Sequence, residues 1–521
     1  MTGTDAQLVR AVGTVGLATL ASRVLGFVRD VVVARAFGAG LHTDAFFVAF
    51  RIPNLLRRLL AEGALATAFI PVFSDYLTHR PWEEFRRMLR AVTGVMIVVL
   101  AATTLLGILV APWIVRAMAP GFWTIPAKAE IAVALTRLMF PYLFCVGLVA
   151  LAMAALNSLD HFATPALSPV MLNLGMIAGA LLLAPVLKLP IVGLAWGVLA
   201  GGVAQGLLQL PALRSRGVAV TPVFEPRHPA IGQVGRLMAP TVFGTAVTQF
   251  SVFIDTVIAS LLPEGSVSFL YYADRIVEFP LGIFGIAIAT AALPALSRQA
   301  ARGESKELKR TVTVALGLSA FLTLPASVGL IVLREPIVRV LFQRGEFGAT
   351  ASGATAWALL FYSLGLTSFA CAKIVAQAFY ALQDTRTPVR VGIAAVALNI
   401  ALALSLMGPL RHGGLALATS CSATFNWLCL LILLRRKVGE IDFRDLWASL
   451  GRSAVGCAAL GATLWIGFLW HPGEPRGAET LWLFVMIALG TGVYWAGSAL
   501  MRSPEVTLLS ALVRKRLPRA T

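Results

Sequence analysis

Apolar runs of about twenty residues or more, separated by short polar breaks, follow one another along almost the whole chain. A hydrocarbon layer about 30 Å thick is crossed by about twenty helical residues, so each run reads as a transmembrane helix. Fourteen are predicted, near 8–36, 44–76, 86–112, 127–157, 163–186, 190–213, 230–261, 268–299, 307–334, 350–382, 387–408, 412–436, 443–470 and 479–502. None alternates with period two, which sets aside a closed β-barrel. The predicted class is an all-α polytopic membrane protein. Its first run stands apart, because Arg23, Arg29 and Asp30 interrupt it.

Composition agrees with that pattern. The 521 residues are 58% hydrophobic and 13% charged, with a mean hydropathy of +0.82. That is too apolar for a soluble domain and too long for a single anchor. A net charge of +18 would suit nucleic acid binding, but the basic residues recur in short patches between apolar runs, which is topology information. One set of loops carries Arg80/Arg86/Arg87/Arg90, Arg214/Arg216/Arg227/Arg236, Arg298/Arg302/Lys306/Lys309/Arg310, Arg386/Arg390, Arg435/Arg436/Lys437/Arg444 and Arg514-Lys-Arg516. The opposite set is poor in Lys and Arg. The positive-inside rule therefore places both termini in the cytoplasm, which an even helix count satisfies. No cleavable leader is expected from Met1-Thr-Gly-Thr-Asp-Ala, and no nucleic acid partner. The five cysteines lie in apolar runs without a CxxC pair, and the six scattered histidines have no metal-ligand spacing.

An internal repeat shows at an offset of about 223 residues. Arg51-Ile52 echoes Arg275-Ile276, Pro71-Val-Phe-Ser74 echoes Pro294-Ala-Leu-Ser297, and Arg116 after Pro112 echoes Arg339 after Pro336. Asp160 with Thr164-Pro165 echoes Asp384 with Thr387-Pro388. Six helices per copy is an even number, so the copies share one orientation and their interface is the expected cargo site. This predicts an N-lobe over 1–220, a C-lobe over 221–440, and two further helices with a basic tail over 441–521.

Charged residues inside apolar runs locate the chemistry. A charge at the bilayer centre costs about 2.5–3.5 kcal/mol, so such groups face a wet cavity more often than lipid. On an ideal helix Arg51, Asn54, Arg58 and Glu62 share one stripe, and Arg23, Gly26 and Asp30 share another. Asp274, Arg275 and Glu278 cluster on the eighth segment, with Arg275 and Glu278 spaced to pair. Arg57 points off its stripe, which a turn at Pro53 would explain. Breaks at Gly26 and Pro53 are expected to free backbone groups for cavity water or cargo. Guanidinium excess predicts an anionic cargo, since its planar fork matches phosphate and carboxylate. Arg35, Arg90 and Arg236 read instead as side chains reaching the headgroups. Asp255 and Asp384, with Asn399, are oxygen ligands that could hold Na⁺ or a proton, and a simple hydrogen-bonded Asp reads equally well; Lys373 is similarly open. Glu304-Ser-Lys-Glu307 reads as a solvated helix start with capping character.

Four stretches carry a resemblance. Ser22-Arg-Val-Leu-Gly-Phe-Val-Arg-Asp30, Thr43-Asp-Ala-Phe-Phe-Val-Ala-Phe-Arg-Ile-Pro-Asn-Leu-Leu-Arg-Arg58, Ala61-Glu-Gly-Ala64 and Tyr271-Tyr-Ala-Asp-Arg-Ile-Val-Glu-Phe-Pro280 closely resemble the MurJ (MviN) family of lipid II flippases. The likeness runs over essentially the whole chain, including Asp384-Thr-Arg-Thr-Pro388. It implies the multidrug/oligosaccharidyl-lipid/polysaccharide exporter superfamily, with two six-helix lobes, two extra helices and a lipid-facing groove. It also implies a non-enzymatic transporter in the bacterial cytoplasmic membrane that exports lipid II, the undecaprenyl-diphosphate-linked peptidoglycan precursor. Carried over, the cavity arginines are Arg23, Arg29, Arg57 and Arg275, with Asp30, Asp44 and Glu278 as acidic companions. A sodium site would involve Asp255 and Asp384; no other cofactor is implied. Membrane lipids, cell-wall synthesis proteins and a monomeric state are the partner expectations.

Transport by alternating access would draw on the inside-negative potential, worth about 2.3 kcal/mol per unit charge per 100 mV, or on a cation gradient. No Walker motif points to ATP. An exporter of another polyprenyl-diphosphate glycan fits the electrostatics equally well, and a cation-coupled drug antiporter of the same superfamily would want acids in place of arginines.

Overall fold

The computed structural model describes residues 3–57, 65–218, 221–440, 444–470 and 476–516, and among them no strand occurs. The chain divides into two compact units, 1–268 with 344–347, and 269–343 with 348–521. The first holds α1 (Gly3–Phe37), α2 (Leu41–Arg57), α3 (Leu65–His79), α4 (Trp82–Met118), α5 (Pro126–Met139), α6 (Pro141–Ser158), α7 (Ala163–Ala178), α8 (Ile191–Arg214) and α9 (Pro229–Ser260). The second follows with α10 (Ser266–Pro280), α11 (Ala287–Ala301), α12 (Ser305–Val332), α13 (Arg334–Phe342), α14 (Ala349–Ala381), α15 (Arg386–Leu410) and α16 (His412–Val438). It closes with α17 (Arg444–Leu469), α18 (Arg476–Leu500) and α19 (Pro504–Arg516). Among the described residues, 11 helical stretches are long and apolar enough to cross a membrane. The three remaining expected runs fall on α1, on α2 with α3, and on α9.

Two of the expected runs change course beside a proline. The fourth run divides at Phe140, because Pro141 withholds the backbone donor that would continue the ladder. After Pro280, residues 281–286 widen into a π-helical turn before α11 resumes the α-helical pattern. Gly26 and Pro53 behave differently from expectation: α1 and α2 run through both without a break. The short helices α13 and α19 were not predicted, since neither is long enough to register as an apolar run. Glu304 stands at the start of α12, yet its side chain makes no capping hydrogen bond.

Within the first unit, α7 and α8 meet along facing glycines. Gly175 and Gly179 oppose Gly193, Gly197 and Gly201, and a methyl added at Gly201 would lie 2.9 Å from the Leu172 Cα. Lipid tails are as apolar as leucine, so close backbone contact between small residues does the work of helix association here. A core of Phe69, Phe73, Tyr76 and Phe85 joins α3 and α4, with the Phe73 and Phe85 rings edge-on at 6.2 Å.

In the second unit, α17 and α18 pack on α12 through Phe321, Cys457, Leu460, Leu464 and Tyr494. The Tyr494 hydroxyl donates to the Phe321 carbonyl at 2.8 Å. Glu505 accepts from Ser449 and Ser503, so the start of α19 is tied to α17. All five cysteines are free thiols; Cys371 and Cys457 are buried among packed side chains, whereas Cys421 is exposed.

The repeat is visible in the backbone itself. After α6, the amides of Leu159, Asp160 and His161 donate to Ala155, Asn157 and Leu156. After α14, Leu382, Gln383 and Asp384 donate to Ala378, Tyr380 and Phe379, the same pattern 223 residues on. Asp160 (φ 55°) and Gln383 (φ 58°) occupy the left-handed position that closes each helix. The register therefore pairs Asp384 with His161, one residue away from the Asp160–Asp384 match read in the sequence.

Candidate functional site

Arg29 lies on α1 with only 9% of its surface exposed, next to Asp30 at 3%. Its Nε and Nη2 donate to Asp30 Oδ1 at 3.0 and 2.7 Å, and its Nη1 donates to Asn173 Oδ1 on α7 at 3.0 Å. Asn173 Nδ2 in turn donates to the Ser22 carbonyl at 3.1 Å. A methyl at Gly26 would sit 3.7 Å from that same amide, in ordinary contact with it. A buried guanidinium beside a carboxylate is tolerable because the acid offsets the desolvation cost. Asn173 went unnoticed in the sequence; its only signal there is a carboxamide inside an apolar run.

Arg51 and Arg57 on α2 both engage other side chains of the first unit. Arg51 Nη1 donates to Thr256 Oγ1 on α9, and Arg57 Nε donates to Asn54 Oδ1 at 3.0 Å. The Asn54 contact accounts for the off-stripe direction of Arg57 without a turn at Pro53. Arg23 is exposed. Arg58 and Glu62 lie outside the described residues. On α10, in the second unit, Arg275 Nη1 pairs with Glu278 Oε2, and its guanidinium lies 4.8 Å from the Tyr271 ring centre. The pairing is the one the i, i+3 spacing anticipated.

Asp44 does something other than accompany an arginine. It is 1% exposed and accepts from Lys128 Nζ at 2.7 Å, Gly265 N at 2.8 Å, Ser268 N at 2.9 Å and Ser268 Oγ at 2.6 Å. Lys128 also lies 4.3 Å over the Phe122 ring. This carboxylate ties the start of α2 to α5 and to residues 265–268, all within the first unit. Removing one partner of such a buried pair costs about 3–5 kcal/mol, chiefly through the charge left behind. Neither Lys128 nor Ser268 was singled out in the sequence, and their distances along the chain from Asp44 explain why.

The two candidate cation ligands are differently placed. Asp255 is half-buried on α9. Asp384 accepts from Lys437 Nζ at 2.5 Å and from Thr387 N and Oγ1 at 3.0 and 2.8 Å. Those hydrogen bonds, Lys437 foremost, hold its carboxyl well below the usual carboxylate range. Lys437 thus occupies the position a cation would take at Asp384. Asn399 is buried on α15, and Lys373 is exposed. Among the described residues, no group of three or more His, Cys, Asp or Glu side chains could hold a metal ion.

Long apolar helices that carry charged residues, among them the buried Arg29, define a polytopic membrane protein. The fold is shared with a solved inward-facing MATE family transporter of the MOP superfamily, at a TM-score of 0.65 over 80% of this chain and 94% of that one, with 16% identity. The chain belongs to the MurJ family: the model described as Lipid II flippase MurJ matches residues 33–471. It is 41% identical to a probable lipid II flippase MurJ of Vibrio cholerae over 88% of this chain and 89% of the relative. It is 36% identical to the lipid II flippase MurJ of Burkholderia cenocepacia over 94% and 97%. A solved lipid II flippase MurJ in an inward closed conformation superposes with a TM-score of 0.78, 25% identity, and coverage of 94% and 98%. The protein is a multi-pass transporter of the inner membrane, not an enzyme.

Proposed function

We propose that this chain moves lipid II, the undecaprenyl-diphosphate-linked peptidoglycan precursor, from the cytoplasmic to the outer leaflet of the inner membrane. The observation that carries the reading is Arg29, a guanidinium kept buried in α1 by Asp30 and Asn173 in a chain 41% identical to a probable lipid II flippase. A planar, permanently charged donor suits a diphosphate. Arg23, Arg51, Arg57, Arg58 and Arg275, with Asp30, Asn54, Glu62 and Glu278, form the proposed headgroup site, and Asp44 supports it by fixing the start of α2.

The proposed transport cycle is alternating access between an N-lobe over 1–220 and a C-lobe over 221–440, with 441–521 as an addition. Membrane potential favours outward movement of the diphosphate, and Na⁺ or proton entry, with Asp255 as candidate ligand, resets the carrier. Both termini are placed in the cytoplasm by the basic loops, the working unit is a monomer, and cell-wall synthesis proteins supply and consume the cargo.

The test is outer-leaflet accessibility of lipid II in cells that depend on this protein. Arg29→Ala and Arg275→Ala are each expected to lower it at least about tenfold, a loss of about 1.4 kcal/mol, at unchanged protein level. Normal accessibility and growth with both variants overturn the reading.

A further inference from the structure

A slot of about 320 Å³ lies within the first unit between α4, α6 and α8. It opens on the lipid-facing side, where Val203 and Leu207 are 50% and 60% exposed. Its lining is apolar with two informative exceptions. Gln209 is fully buried, lines the slot, and has no hydrogen-bond partner on either its Oε1 or its Nε2. Arg90 lines the end nearest the basic loops, and its Nε donates to the Thr221 carbonyl at 3.1 Å. The two terminal amino groups of Arg90 have no partner among the described residues.

A buried carboxamide is ordinarily satisfied, and an orphan one in the lining of an open slot points to a ligand that brings both polar and apolar groups. We infer that the slot is a lipid-binding site for an anionic phospholipid of the leaflet on the basic-loop side. One acyl chain fills the apolar cavity, an ester carbonyl accepts from Gln209, and the phosphate meets Arg90. Three features select this occupant. The slot opens to the membrane, its polar groups lie in the order of a phospholipid from chain to ester to phosphate, and the group at the mouth is cationic. Gly206 supplies the room, since a methyl there would touch only Val149 at 3.9 Å. The site uses none of the residues assigned to the cargo headgroup.

The test uses the full chain purified in mild detergent, titrated with phosphatidylglycerol or phosphatidylcholine, and read by native mass spectrometry. The parent protein is expected to retain one phosphatidylglycerol in preference to phosphatidylcholine. Gly206→Phe, which fills the slot, is expected to lose it. Arg90→Gln, an exposed change that leaves the fold intact, is expected to weaken phosphatidylglycerol about five-fold and abolish the preference. Full retention by Gly206→Phe, or an unchanged preference in Arg90→Gln, overturns the inference. Displacement of phosphatidylglycerol from the slot by a polyprenyl phosphate at equal concentration also overturns it, because the slot would then belong to the cargo class.

Discussion

The turns that close α6 and α14 share one backbone and differ in one kind of chemistry. In each, a residue just past the left-handed position contacts a threonine three residues on and a basic side chain near the end of another helix of the same unit. After α14 that residue is Asp384, bound by Thr387 and Lys437. After α6 it is His161, whose Nε2 meets Thr164 Oγ1 at 2.5 Å and whose Nδ1 meets Arg216 Nη2 at 2.9 Å. Arg216 can only donate, so Nδ1 is the acceptor and Nε2 carries the proton. The duplicated backbone thus preserved the turn, while side-chain exchange made one copy a permanent ion pair and the other a neutral contact that acid can break.

The largest effect is expected where the charge is permanent. Asp384→Ala removes both the ion pair and the acceptor for the Thr387 amide, and is expected to cost about 1–2 kcal/mol in stability, read as a lowered Tm in detergent. His161→Ala is expected to cost less, about 0.5–1 kcal/mol, because a neutral contact is lost. Equal losses at the two sites would contradict the comparison.

The subtlest difference is in pH response. Burial, then the Arg216 charge, hold the His161 pKa below its ordinary 6.5, so the folded turn favours the neutral ring. Its contribution is complete above that value and is lost as the pH falls below it towards the depressed folded pKa. Asp384 is depressed below its ordinary 3.8, so its contribution persists until the pH falls under that value. Acidification from pH 7 to 5 is therefore expected to lower amide protection, taken relative to the intrinsic exchange rate at each pH, across 159–164 and to leave protection across 382–387 unchanged. His161→Asp should abolish the difference; persistence of it in that variant would place its origin elsewhere.

The same two turns show how far the sequence could be read. Thr164-Pro165 and Thr387-Pro388 gave away the repeat, and the apolar runs located the helices on either side. Matching like with like then paired Asp160 with Asp384, whereas hydrogen bonding pairs His161 with Asp384. Chemical similarity is a poor guide to register where one copy has replaced a carboxylate by an imidazole. The charged site was legible to a similar depth. Arg275 and Glu278 are three apart on one helix and could be paired by spacing alone, whereas the adjacent Arg29 and Asp30 could not. Asn173 and Lys128 could not, because their partners lie on other helices.

Hydropathy and helical spacing by themselves determined an all-helical membrane protein, its duplicated plan, and the arginines that enter apolar segments. These are local properties, set by the cost of burying charge and by a period of 3.6 residues. Only the tertiary structure decided that Asp44 serves Lys128 and Ser268 instead of an arginine, that Lys437 occupies Asp384, and that an unpartnered Gln209 lines a slot. Each of those outcomes depends on which helix faces are brought into contact, and packing, not local pattern, chooses among them.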